Sequence, residues 1–126
     1  MKTKISLSIL GIYNTLIGLA MFFFATDAVG ALINSDNSEV VRMGELMHYG
    51  LSPALLVIGL MLLLARNTSI ETAKNLLLGY IIGTTLLMYI FFGIMANESL
   101  INFSVASVIP DITMLVIAIF GYVKAK

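Results

Sequence analysis

Four long apolar runs leave this chain few ways to fold. The first goes from Ile5 to Ala25, the second from Leu46 to Ala65, the third from about Ala73 to Ala96 and the fourth from about Ile101 to Val123. Each is close to the roughly 20 apolar residues that cross ~30 Å of hydrocarbon as a helix. Lipid offers the backbone no hydrogen-bond partners, so such runs span as helices, which satisfy their own. Composition agrees: of 126 residues, 60% are hydrophobic and 11% charged. A soluble domain is nearer half apolar and about a quarter charged. The expected fold class is all-α, a single transmembrane four-helix bundle over residues 1–126 with its long loop at 26–45.

Threading the chain through those spans sorts its charges. Lys2, Lys4, Arg66, Lys74, Lys124 and Lys126 fall on one side, and Arg42 is the one basic residue on the other. The positive-inside rule makes the basic side cytoplasmic, so both termini are expected to face in. Asp27, Asp36, Glu39, Glu45 and Glu98 lie on the outer side, with Asp111 nearby. Lys2, Lys4 and the small residues around Ala25 also fit a cleavable leader. The apolar core, however, exceeds the usual ~7–15 residues and contains Tyr13 and Asn14, so it reads as a retained span. Formal net charge is zero, and no basic patch points to nucleic acid. The chain has no cysteine and one histidine, which excludes disulfides and thiolate chemistry and leaves no metal site expected. No cofactor is expected either.

Within the loop, Asn34 to Ser38 form a polar turn cluster, and residues from Glu39 onward read as a helix entering the second span, capped by Asn37 or Ser38. Spans one and three share Leu10/Leu77, Tyr13/Tyr80, Leu19/Leu86, Met21/Met88 and Phe24/Phe91 at one offset. A duplicated hairpin would produce this, and so would coincidence in an apolar alphabet.

In lipid, small and polar residues mark the faces that meet. Span one carries Ser8, Gly11, Thr15, Gly18 and Ala25 as a stripe; span two Glu45, His48, Ser52 and Gly59; span three Gly79, Gly83, Gly93 and Asn97; span four Ser104, Ser107, Asp111, Ala118 and Gly121. The expected packing glycines are Gly11, Gly18, Gly59, Gly79, Gly83 and Gly93. Gly79 and Gly83 form a GxxxG pair, expected to pack within the chain.

Asp111 is the sharpest chemical candidate, because ionisable groups inside a membrane are costly and face the interior or water. If span four is helical through Pro110, that proline weakens the helix beside Asp111, as Pro53 does at similar depth in span two. If the helix instead starts near Ser107, Pro110 sits in its first turn and Asp111 complements the helix N-terminus. The candidate polar cavity comprises Asp111, His48, Glu45, Ser52, Ser107 and Asn14. Glu45 and His48 share one helical face, and Arg42 is placed to pair with Glu45 at i,i+3. Asn14 and Tyr89 lie deep in their spans and need hydrogen-bond partners.

Leu10-Gly-Ile-Tyr-Asn, Gly18, the Met21-Phe-Phe-Phe end of span one, Gly59 with the Arg66 stop, and Ala73-Lys-Asn-Leu-Leu-Leu-Gly give the chain a layout. It resembles the small four-span bacterial membrane families that are broadly DoxX-like. The resemblance implies the bacterial cytoplasmic (inner) membrane. It also implies, for the named DoxX proteins, a small subunit of a quinol-oxidising complex, but no residue here matches a quinone site. Three readings of function stay open. The first is a non-enzymatic subunit or accessory protein acting by helix packing, in a larger membrane complex or a homo-oligomer. The second is a protein that binds, or acts as an enzyme on, a lipid-like or quinone-like molecule in the candidate cavity. The third is a small transporter or channel subunit with Asp111 as its ion or proton site.

Overall fold

The computed structural model describes residues 2–125. It is all-α, with helices α1 (Lys2–Phe23), α2 (Ala25–Leu32), α3 (Ser38–Leu64), α4 (Ile70–Tyr89) and α5 (Val105–Val123). Four helical segments are long and apolar enough to cross a membrane: Lys2–Phe23, Ser38–Asn67, Ile70–Asn97 and Val105–Val123. The chain is therefore a small integral membrane protein. Large apolar side chains stand exposed along all four, Leu16 at 59%, Met61 at 57%, Ile82 at 63% and Val116 at 60% among them, as lipid-facing residues must.

The helix ends follow the local chemistry. The Asn37 side chain accepts the Glu39 N–H at 2.9 Å and starts α3. Ser69 accepts the Thr72 N–H at 3.2 Å and starts α4. The residue 26–45 loop is largely helical: α2 follows a bend at Phe24 and lays Val29 against Gly44 of α3. Beyond Tyr89, α4 widens into a π-turn over Ile90–Ile94 and then a 3₁₀ turn over Met95–Asn97. The two non-helical loops at this end join through an Ile33–Ile101 bridge. Its bonds are Asn34 N–H to Leu100 C=O at 2.9 Å and Asn102 N–H to Leu32 C=O at 2.7 Å.

The bundle is built around α1. Gly11, Thr15 and Gly18 of α1 face Gly59, Leu63, Ser52 and Leu56 of α3. Leu7 and Leu10 of α1 pack with Leu77 and Ala73 of α4 and Ala118 of α5 in the main core. α4 and α5 pack on each other and on α1, while α3 makes its main contact with α1. A chain without the first span would lose the helix that joins α3 to the rest.

The start of α1, the end of α5 and the α3–α4 connection lie at one end of the bundle. The Thr3 hydroxyl donates to the Gly121 carbonyl at 3.2 Å, and the Lys74 ammonium sits 5.0 Å from the Tyr122 ring centre. Lys2, Lys4, Arg66, Lys74 and Lys124 therefore gather at a basic end. Asp27, Asp36, Glu39 and Glu98 belong to the opposite, acidic end, with the Arg42–Glu45 pair at 2.6 Å.

Candidate functional site

The most polar part of the spanning region lies where α1, α4 and α5 meet. Tyr13 stands near the middle of α1 and donates its hydroxyl to Oδ1 of Asp111 at 2.8 Å. Asn14, the next residue, is 5% exposed. Its Nδ2 donates to the Leu10 carbonyl at 2.8 Å and to the Tyr80 hydroxyl of α4 at 3.1 Å. Successive residues on a helix differ by about 100°, so Tyr13 reaches α5 while Asn14 reaches α4. Thr84, one turn beyond Tyr80, is also buried.

Asp111 is half-buried. α5 begins at Val105, with Pro110 as its sixth residue. The start near Ser107, with Pro110 in the first turn, is therefore not what forms. Pro110 lies within the continuous helix one position before Asp111, where it offers no N–H to the Ala106 carbonyl, and Asp111 turns to Tyr13 rather than to the backbone at the helix start. Tyr89 is 67% exposed at the end of α4, whereas Asn14 finds its partner in Tyr80.

The other candidate polar residues do not join this group. Ser52 donates to the Gly18 carbonyl at 2.8 Å. Gly18 and Tyr13 are five residues apart, about 140° around α1, so Ser52 and Asp111 approach different faces of it. Nδ1 of His48 lies 3.0 Å from the carbonyl of Gly44 in its own helix. Glu45 pairs with Arg42, as the i,i+3 spacing predicts. The Ser107 hydroxyl donates to the Ser104 carbonyl at 2.6 Å at the start of α5. Among the described residues no group of three His, Cys, Asp or Glu is close enough to hold a metal ion.

The expected packing glycines divide into two sets. A methyl group added at Gly11 would lie 2.9 Å from the Gly59 carbonyl oxygen, and one at Gly18 would lie 2.7 Å from the Leu56 nitrogen. One at Gly59 would collide with Thr15. These three glycines let the α1 and α3 backbones approach closely, as small residues do between membrane helices. Gly79 and Gly83 have nothing within 4 Å of that position. The GxxxG pair therefore does not pack within the chain. Gly93 meets only Tyr89 of its own segment, at 3.5 Å.

The inward face of α4 is Ala73, Leu77, Tyr80 and Thr84. Sequence reasoning singled out neither Tyr80 nor Thr84 as a site residue. Their regular three- and four-residue spacing from Ala73, with hydroxyls on one stripe, is the signal that could have found them. No family model, curated protein or solved structure matches the chain.

Proposed function

We propose that the chain is a non-enzymatic membrane subunit that works by helix packing, and that the Gly79–Gly83 face of α4 seats a transmembrane helix from a second copy. The open glycine pair carries this reading. The same device is filled inside the molecule, where Gly11, Gly18 and Gly59 each meet a neighbouring backbone, and unfilled on α4. The outward face of α1 offers a contrast. Ile5, Ile9, Ile12, Leu16 and Leu19 stand there at 38–59% exposure, and bulky side chains of that kind suit lipid rather than a close helix. Two GxxxG faces related by a two-fold axis are complementary in shape and need no matching charges. On this reading the basic end faces the cytoplasm, and the DoxX-like layout fits a small subunit of a bacterial inner-membrane assembly.

Native mass spectrometry in mild detergent tests the proposal. The wild-type chain is expected as a dimer and the Gly79→Ile/Gly83→Ile variant as a monomer. A monomeric wild type, or a dimer indifferent to the substitutions, contradicts it, and co-purification with a different membrane protein moves the face to another partner.

The Tyr13–Asp111 contact favours a second reading, in which Asp111 is an ion or proton site within the spanning region. An Asp111→Asn variant that folds and dimerises normally but loses proton or cation flux in liposomes would support it. Wild-type liposomes without such flux would rule it out.

A further inference from the structure

At the basic end, a cleft of about 290 Å³ opens between the start of α1 and the start of α4, lined by Thr3, Lys4, Arg66, Asn67, Thr68, Ile70 and Ala73. We propose that this cleft binds the phosphate headgroup of an anionic phospholipid. Among the described residues the one ion pair is Arg42–Glu45 at the other end, so Lys4 and Arg66 bring two positive charges to the cleft with no carboxylate opposite. Glu71, in the first turn of α4, is exposed and does not line it.

Arg66 suits the task because its planar guanidinium presents paired donors to phosphate oxygens, while Lys4 adds a point charge. Asn67 and Thr68 add neutral donors beside them. Ile70 and Ala73 give the cleft an apolar wall. Ile70 is 50% exposed, as is Ile5 at 51% one residue beyond Lys4. The charged rim thus passes directly into the lipid-facing surface. A free anion would use the rim alone, whereas a phospholipid uses the rim for its phosphate and the apolar wall for the start of its chains. Basic pockets between spanning helices at this level are suited to such headgroups.

The test uses the purified full chain in neutral detergent, titrated with phosphatidylglycerol or phosphatidylcholine of identical acyl chains and read by native mass spectrometry. One phosphatidylglycerol is expected to bind at least about tenfold more tightly than phosphatidylcholine. Lys4→Gln/Arg66→Gln is expected to weaken phosphatidylglycerol about 30-fold, since each basic residue near a membrane surface contributes about fivefold. Lys124→Gln removes a charge from the same end outside the cleft and is expected to leave affinity within about threefold. Circular dichroism reports folding. If the double variant is misfolded, Arg66→Lys replaces it, and an affinity loss of about threefold or more with the charge retained is expected. Equal retention of both lipids, an Lys124→Gln loss matching that of the cleft variants, or no loss in a folded cleft variant overturns the proposal. Displacement of the lipid by millimolar inorganic phosphate would reassign the site to a free anion.

Discussion

Gly18→Ala tests the seam that holds α3 to the rest of the molecule. The added methyl would lie 2.7 Å from the Leu56 nitrogen, 3.0 Å from the Ser52 carbonyl oxygen and 3.1 Å from the Leu56 Cα. All three are backbone atoms, so no side-chain rotation relieves the contact. Restoring an ordinary spacing of about 3.5 Å requires the two helices to separate locally by about 0.8 Å, and a gap of that size forfeits roughly a quarter to a half of each neighbouring contact. Overpacking of this kind costs about 1–3 kcal/mol. The same separation stretches the 2.8 Å bond from Ser52 to the Gly18 carbonyl, which contributes about 0.6 and at most about 1.7 kcal/mol between membrane helices. The expected loss is about 2–4 kcal/mol, read from reversible unfolding in mixed micelles. Gly79→Ala adds the same methyl to a helix where nothing stands within 4 Å and serves as the reference, measured on monomer. Equal effects of the two substitutions, or a Gly18→Ala loss under about 0.5 kcal/mol, the ordinary range for surface changes, would refute the seam.

Other substitutions probe separate contacts of the fold. Thr15 buries a hydroxyl with no hydrogen-bond partner at the same seam, so Thr15→Val is expected to stabilise the fold by about 1 kcal/mol in the same unfolding assay. Tyr13→Phe leaves the Asp111 carboxylate without its donor and is expected to cost about 1–3 kcal/mol. Asp111→Asn can still accept from Tyr13 and is expected to cost less than Tyr13→Phe, by thermal denaturation of both. Asn102→Pro removes the N–H that bonds to Leu32 at 2.7 Å and is expected to speed hydrogen exchange around Ile33 and Asn34 while leaving α1 and α3 protected.

The four helices were legible because lipid imposes a length and a composition that few other folds meet. The α3 cap at Asn37 and the Arg42–Glu45 pair were legible because they depend on residues near in sequence. The small-residue rule found the α1–α3 seam: Gly11, Gly18 and Gly59 face a neighbour. It misplaced the inward side of α4. There, Tyr80 bonding to Asn14 and Leu77 filling the core outweigh the space that Gly79 and Gly83 offer, and a sequence cannot rank those terms. The polar residues of spans two and four look alike as stripes. Whether Ser52 and Asp111 share a cavity depends on where α3 and α5 dock around α1, and they dock on different faces. The Ile33–Ile101 bridge joins residues far apart in sequence and carries no local signal.

On the proposed function, the Gly79–Gly83 face of α4 seats a second copy. The chain contains no cysteine, so single cysteines can report proximity directly by oxidation in native membranes. Ile82 stands between the two glycines and is 63% exposed, while Ile12 on the bulky face of α1 is 50% exposed. Ile82→Cys is expected to form a disulfide-linked dimer that disappears when Gly79→Ile and Gly83→Ile are added, and Ile12→Cys is expected to stay monomeric. No dimer through Ile82→Cys, or equal dimer through both positions, would contradict the claim.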